Sequence, residues 1–484
     1  MIIVRTIKQI QFEVIQLVLC ISLMLVAPGL SAQNDSMQFS FDVYKELVRK
    51  NHPLILQANL NLLKGESQLR KAKGGFDPRI QASFDNKEYQ GKDYYSLSQA
   101  TVKIPTPFAV ELKGGFELND GVYLNQQDQT PDDGLYTAGL SLPLLQGLVM
   151  DERRTALRQA RAFQSFSNSE RLVMTNELLL KAYNGYWEWW SAQRKVQVAE
   201  GLAEIAKTRL EAVKQRAFAG QAPLIDTLEA HIQWQMRRQN TVEARILEIK
   251  NRMLLSAFVW SNGDQQTESV SMQLPSQARS TDPEIIDSPY AVVELNFLAI
   301  LDTISDSNPY LQQFDAKLEG LYADEKWKRE KLKPRLNANY NLLSGSTGSV
   351  EDGFGTTNYK WGFDFYFPVL LRESRGDLEL TRIKIAETKL ELNYKKQELK
   401  NKALAVYQNV PLFEDQLRIA SDNRLNYERL LDAERIKFFN GESTLFLVNQ
   451  REIQYADAQN KVIDLQLKLQ QTKNELLFLT GFIQ

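Results

Sequence analysis

The sequence contains an internal duplication. Pro53 and Pro78 are 25 residues apart, and Pro309 and Pro334 repeat that spacing in similar surroundings. The correspondence continues from Pro143 to Pro368 and from Gly220 to Gly441. Self-similarity over about 200 residues predicts two copies of one structural unit. We place the repeats at 40–260 and 296–481, with 261–295, rich in Ser, Gln, Asp and Pro, as a linker or equatorial segment.

Each repeat contains very long helical segments. Between Asp151 and Ala217 there is no proline, and small apolar residues recur at alternating spacings of three and four, a heptad pattern (Val196, Ala199, Ala203, Ala206, Leu210, Val213, Ala217). After Gly220 a second heptad runs back through Ile225 to Met253. In the second repeat we predict a helix from about Arg375 to Phe438, which Pro411 interrupts and should kink, and a return helix from about Ser443 to Leu479. These patterns predict two helical hairpins, each about 100 Å long.

Each repeat also contains strands with strict alternation. In 357–367 the aromatic residues Tyr359, Trp361, Phe363 and Phe365 share one face, opposite Lys360, Gly362 and Asp364. Residues 335–342, 80–84 and 136–142 alternate in the same way, and 94–104 and 108–118 are further candidates. The expected fold is therefore an α+β membrane protein with four strands per protomer, or six if the further candidates cross the membrane.

Composition and the N-terminus narrow the function. Arg5 and Lys8 precede an apolar stretch and small residues, which predicts a signal peptide over 1–32. With one cysteine, Cys20, inside that leader and two histidines in the chain, no metal or cofactor site is expected. A net charge of −2 argues against nucleic acid as a partner. No nucleophile elbow, P-loop or dinucleotide fingerprint is present, so we do not expect an enzyme.

The combination of strands and long helices predicts an assembly. Open sheet edges are not tolerated in lipid, so these strands must close into a barrel with other copies of the chain. Small residues along the helix seams allow close packing on more than one side, which suits a ring of helices that continues the strand barrel as a tube. Polar inner strand faces would then line water, and the protein would be a conduit.

The chain resembles the TolC-like outer-membrane efflux proteins in an ordered set of features. These are the leader, the Pro-x24-Pro segments, the Leu-Pro and Phe-Pro strand ends, and the Gly-x-x-x-Leu turns between long helices. That resemblance implies a homotrimer with a 12-stranded β-barrel in the outer membrane of a Gram-negative bacterium, continued by an antiparallel α-helical coiled-coil barrel across the periplasm. It implies a passive exit channel of a tripartite efflux pump or a type I secretion system. The implied partners are outer-membrane lipid, a periplasmic adaptor (membrane fusion protein) and an inner-membrane pump of the RND or ABC type.

The resemblance also suggests site residues. It points to Asp226 and Glu229 as an acidic channel gate, although Asp226 also suits the dipole of a helix N-terminus. The second repeat carries Leu447 and Gln450 at those positions. The hairpin tips are expected to contact the adaptor through six residues, Gly220, Gln221, Leu224, Gly441, Glu442 and Leu445. On a barrel strand, Tyr359, Trp361, Phe363 and Phe365 would face lipid.

One alternative belongs to another class of protein. An exported periplasmic coiled-coil scaffold, or an adaptor-like protein that does not span the membrane, would also need long heptad helices. Such a protein has no need of alternating aromatic strands or of a repeated strand and helix order. The sequence does not identify the exported substrate.

Overall fold

The computed structural model describes residues 41–221, 223–260, 304, 308–345 and 357–481. The predicted leader at 1–32 and the predicted linker at 261–295 lie outside the described residues. Within the described ranges, no helix has both the length and the hydropathy needed to cross a bilayer.

Four long helices form two hairpins, as the heptads predict. Asp151 caps the first of them by accepting a hydrogen bond from the backbone N–H of Arg154 at 2.8 Å. The helix that contains Pro411 is continuous over 68 residues, so this proline does not end the helix, and the kink at Pro411 stays a prediction. The bounds of the hairpin helices are α3 Glu152–Phe218, α4 Leu224–Ser256, α6 Arg372–Phe439 and α7 Leu445–Thr480.

Three shorter helices complete the helical part of the described chain. They are α1 Phe41–Asn51, α2 Pro53–Lys73 and α5 Pro309–Glu330. Each of α2 and α5 begins with proline, preceded by a side-chain cap: His52 accepts from the N–H of Leu54 at 3.1 Å, and Asn308 from that of Tyr310 at 2.9 Å. The two caps occupy equivalent positions in the two repeats.

The strands form one antiparallel sheet of six, in the order in which they occur in the chain. Their bounds are β1 Arg79–Tyr89, β2 Lys92–Pro105, β3 Glu111–Asp120, β4 Leu135–Pro143, β5 Arg335–Ser344 and β6 Tyr359–Tyr366. The candidate strands 94–104 and 108–118 therefore both join the sheet, as β2 and β3, and the number of strands that cross the membrane stays a prediction. The first repeat supplies four strands and the second supplies two, and β4 pairs with β5 to join the repeats.

The helices lie side by side, and two of the four positions are filled by helices placed end to end. Near the sheet the order is α2, α3, α5, α6, and near the hairpin tips it is α4, α3, α7, α6. At the junctions, the rings of His52 and Phe258 are 6.0 Å apart, and the amide of Asn308 donates to the carbonyl of Leu479 at 3.0 Å. Of the seven helices that the structure describes, α3 and α6, of 67 and 68 residues, run the full length.

An aromatic core lies at the level of these junctions. Trp187, Trp189 and Trp190 are buried among residues of α1, α3, α4 and α7. The ring of Phe41 contacts that of Trp187 at 5.2 Å, and the hydroxyl of Tyr44 donates to the carbonyl of Ala182 at 3.1 Å. This tryptophan cluster therefore packs the middle of the helix layer.

Candidate functional site

One face of the sheet is apolar across all six strands. The register places Ile80 of β1 beside Val102 of β2, and the same face continues to Trp361 of β6. Side chains on the outer strands are exposed, 69% for Phe84 and 62% for Trp361. The predicted aromatic set lies on this apolar face, together with most of the apolar side chains of the inner strands (Tyr359, Phe363, Phe365, Phe116, Leu118, Tyr136, Leu140, Tyr340, Leu342).

The opposite face is polar and carries hydrogen bonds between strands. Lys113 on β3 donates to the side-chain oxygen of Asn339 on β5 at 3.1 Å, reaching across β4 beside Gly139. Asn339 in turn donates to Asp364 on β6 at 2.7 Å. A Cβ at Gly139 would lie 2.4 Å from the carbonyl oxygen of Tyr340, so only glycine fits this approach of β4 to β5. The extra strands β2 and β3 follow the same division into polar and apolar faces.

Within the described residues, both outer helices of the layer near the tips carry exposed apolar side chains. On α4, the heptad predicted from the sequence lies on the surface of the single chain, with Ile225 at 73% and Ile246 at 63% exposed. On the tip-side half of α6, Leu412 and Ile436 are 61% and 62% exposed. The seam of α3 behaves differently, since Leu210 and Val213 are buried between the hairpins. The outer stripes are thus available to another copy of the chain.

The hairpin tips present glycines and large apolar side chains to solvent. Gly220 and Gly441 have φ of 70° and 81°, the left-handed conformation that favours glycine after a helix. Gln221 and Glu442 are exposed, and Leu224 is 80% exposed. Sequence reasoning missed other large apolar side chains at the tips, of which Phe218 is 98%, Phe439 78% and Phe446 65% exposed.

Leu445 departs from the expectation of an exposed contact. Its side chain is 6% exposed because it packs against Leu210, Val213 and Ala230, between the two hairpins. It is the first residue of α7, and its cap Thr444 accepts from the N–H of Leu447. Leu445 therefore holds the hairpins together and does not form part of the exposed tip.

The suggested gate residues lie on one turn of α4. Asp226 is in the first turn, and both Asp226 and Glu229 are half-buried. Leu447 and Gln450 at the equivalent positions of the second repeat are exposed. The position of Asp226 suits the helix dipole as well as a gate.

A buried charged cluster, which we call the tip cluster, joins the two hairpins near their tips. The carboxylate of Glu452 on α7 is 1% exposed and accepts hydrogen bonds from Arg209 on α3 and, at 3.1 Å, from Arg435 on α6. Arg209 also donates to Asn449 at 2.5 Å. Burial lowers the pKa of the nearby Arg237 guanidinium on α4, an effect that Glu452 opposes.

Sequence reasoning missed the tip cluster because an acidic residue on a heptad helix most often lies on a solvated face, whereas Glu452 is buried. The available signal was the spacing of three between Asn449 and Glu452, which places two polar groups on one face of α7. Within the described ranges, no group of His, Cys, Asp and Glu has the geometry of a metal site.

Part of the second repeat has a recognisable sequence similarity to a known family. Residues 300–482 match the family model described as outer membrane efflux protein. A comparison with curated proteins finds no match.

Solved structures cover nearly the whole chain at low identity. The Campylobacter jejuni CmeC outer membrane channel is 12% identical, with a TM-score of 0.63, and the alignment covers 93% of this chain and 87% of that one. The Vibrio cholerae outer membrane protein VceC is 13% identical, with a TM-score of 0.62 and coverage of 91% and 95%. The open-state Neisseria gonorrhoeae MtrE outer membrane channel is 12% identical, with a TM-score of 0.63 and coverage of 91% and 88%.

These likenesses extend across both repeats, and at this level of identity they establish the fold. The family match adds sequence evidence for the second repeat, the part of the chain that contains β5, β6 and the second hairpin. Residues 300–482 therefore resemble the outer membrane efflux protein family in sequence, and the fold of the chain is that of the solved outer-membrane channels to which it is similar.

Proposed function

We propose that this protein is the passive outer-membrane exit channel of a tripartite efflux pump or type I secretion system in a Gram-negative bacterium. The observation that carries the proposal is the apolar face, which continues across six strands joined directly to helices of 67 and 68 residues. A soluble sheet would cover such a face with a second layer, whereas a lipid-facing barrel leaves it outermost.

The channel would be a homotrimer. The stripes on α4 and α6 lie at opposite edges of the helix layer, so the α4 edge of one copy can pack against the α6 edge of the next. Such head-to-tail contacts close into a ring when the rotation per copy is a whole fraction of a turn. The polar strand face, with Lys113, Asn339 and Asp364, would then line the lumen, and Tyr359, Trp361, Phe363 and Phe365 would contact lipid.

The lipid-facing assignment can be tested with a matched pair of substitutions on β6. Phe363→Lys places a cation on the apolar face, which costs about 2 to 4 kcal/mol at the bilayer midplane. Gly362→Lys places the same side chain on the polar face, where no heavy atom lies within 4 Å of the added Cβ. We expect heat-resistant trimer in the outer-membrane fraction for Gly362→Lys and its loss for Phe363→Lys.

The alternative of a periplasmic scaffold makes the opposite prediction for this pair. A protein outside the membrane would be recovered in the soluble periplasm and would respond similarly to both substitutions. Recovery of the unmodified protein in that fraction would refute the channel.

The partners we propose are a periplasmic adaptor, which binds the hairpin tips, and an inner-membrane pump of the RND or ABC type. The exposed Phe218, Leu224 and Phe439 support this contact because large apolar side chains at a surface mark interaction sites. Cysteines at Gln221 and Glu442 should crosslink to a co-expressed adaptor. A cysteine at the exposed Glu387 on α6, about 80 Å from the tip, is the control and should not.

We further propose that Asp226 and Glu229 form an acidic ring that favours cations at the channel entrance. Three copies around the axis would carry six carboxylates within one helical turn. Asp226→Asn with Glu229→Gln should lower cation selectivity in planar bilayers. Glu243→Gln, on the same helix about 25 Å from Asp226, should leave it unchanged. Unchanged selectivity in the double variant would leave the helix-dipole interpretation.

A further inference from the structure

The two outermost strands of the sheet are unpaired edges. Every residue of β1 is exposed, and all but one of β6 are exposed. The strand number is even, so β1 runs away from the helices and β6 returns to them. Copies placed side by side therefore bring β6 of one beside β1 of the next in antiparallel orientation, which continues the alternation of the sheet.

The sheet also has the stagger of a tilted barrel. One row of directly paired residues crosses all six strands. From β1 to β6, the residue of this row lies zero, two, two, four, six and six residues from the helix-side end of its strand. That row consists of Arg79, Lys103, Lys113, Gly139, Asn341 and Lys360. A barrel requires such a consistent shear.

We infer that β6 of each copy pairs with β1 of the next, with Lys360 opposite Asp85, so that three copies of this six-stranded sheet close a single barrel of 18 strands. The inference rests on the trimeric channel proposed above. It differs from the four strands per protomer implied by the family resemblance.

This register is selected by charge and by side-chain packing. Lys360 opposite Asp85 pairs opposite charges on the polar face, and on the apolar face it places Trp361 opposite Phe84. Moving β1 by two residues in one direction places Lys360 opposite Lys87, and like charges directly opposite each other are destabilising.

The stagger of the strands excludes a shift of β1 by two residues in the opposite direction. With Lys360 opposite Asp85, each copy contributes a shear of one residue per strand, which at about 3.3 Å rise and 4.8 Å spacing gives a tilt of about 35°. Moving β1 two residues the other way reduces the tilt to about 25°, below the range of about 35–45° found in membrane barrels.

The wider barrel also matches the helices beneath it. At a tilt of about 35°, 18 strands give a backbone diameter of about 34 Å, against about 23 Å for 12 strands. The corresponding perimeter is about 105 Å. Twelve helices side by side, at 8–10 Å each, occupy about 96–120 Å. The strand barrel and the helical tube are therefore of similar width, and the lumen does not narrow sharply where they meet.

Disulfide trapping tests the pairing. Cysteines at Asp85 and Lys360 are expected to give a covalent trimer on a denaturing gel without reductant, because directly opposed strand residues lie within disulfide reach. Each single variant should give none. The pair Glu117 and Lys360 tests closure at β3, which is the edge strand if β1 and β2 lie outside the barrel.

Each outcome is informative about a separate claim. Trapping through Glu117 and not Asp85 would overturn the 18-stranded barrel in favour of a smaller one, and a trimer trapped by neither pair would overturn the register. Absence of any unheated trimer in the outer membrane would refute the proposed function itself. A charge exchange provides independent support: Asp85→Lys should lower the temperature at which the trimer dissociates, and adding Lys360→Asp should restore it.

Discussion

From the tip cluster we predict that the nearly isosteric substitution Glu452→Gln greatly weakens the contact between the two hairpins near their tips. The substitution keeps the shape of the side chain and one acceptor oxygen but removes the charge that Arg209 and Arg435 share. The side chains of Glu452 and Arg209 are 1% and 12% exposed, so their contact is a buried one, whereas Arg435 is 30% exposed and contributes less.

Breaking a buried pair by deleting one partner costs about 3 to 5 kcal/mol. Because the glutamine amide still accepts one hydrogen bond, we expect a smaller loss of about 2 to 3 kcal/mol in the free energy of opening between the hairpins. At a factor of ten for each 1.4 kcal/mol, amide protection near the tips should fall by about 30- to 150-fold.

Hydrogen exchange measured by mass spectrometry on the trimer checks this value. Peptides from 205–215 and 445–455 should lose protection, and peptides from the sheet should not. Glu428→Gln is the matched control, because the side chain of Glu428 is 42% exposed. Its carboxylate accepts a hydrogen bond from the Tyr455 hydroxyl at 2.9 Å and forms an ion pair with Arg424. Equal effects of the two substitutions would refute the argument that burial makes Glu452 a clamp between the hairpins.

Three further predictions concern the junctions and the sheet. Burial lowers the pKa of His52, so the folded chain favours the neutral imidazole that caps α2. The stability of this helix start should therefore fall as the pH drops below about 6.5, which hydrogen exchange of the first amides of α2 measures. His52→Asn copies the cap of the second repeat and should abolish that pH dependence. Gly139→Ala should lower the temperature of trimer dissociation because its Cβ would meet the backbone of β5, and Gly362→Ala, in open space, should leave that temperature nearly unchanged. The hydrogen bond from Lys328 lowers the pKa of the Asp377 carboxylate, so the ion pair between α5 and α6 should persist above about pH 4 and weaken below it. Hydrogen exchange in residues 309–330 should increase at that low pH. Asp377→Asn should give the same increase at neutral pH.

The sequence predicted the bounds of the helices and strands better than it predicted which of them pack or pair with each other. Heptad spacing and alternation depend on one chain segment at a time, so the hairpin helices and the strand from Tyr359 were found within a few residues of their bounds. The number of strands in the sheet was left open because whether β2 and β3 join it depends on pairing between distant segments, which no local period records.

The candidate site shows the same limit. The exposed tips at Gly220 and Gly441 follow from turn chemistry, which is local. Burial of Leu445 and Glu452 depends on how one hairpin lies against the other, because both residues point toward α3 and not away from it. A carboxylate on a heptad helix has the same local pattern whether it faces water or two arginines from other helices.

The end-to-end placement of the short helices has a mechanical consequence. At the level of His52 and Asn308, two of the four helix positions are interrupted, so among the described helices of each copy a bending load passes that level through α3 and α6. A rod is most compliant where its cross-section is smallest. Movements at the hairpin tips should therefore be taken up at this level, where the aromatic core limits their amplitude, and the strand barrel above should remain undistorted.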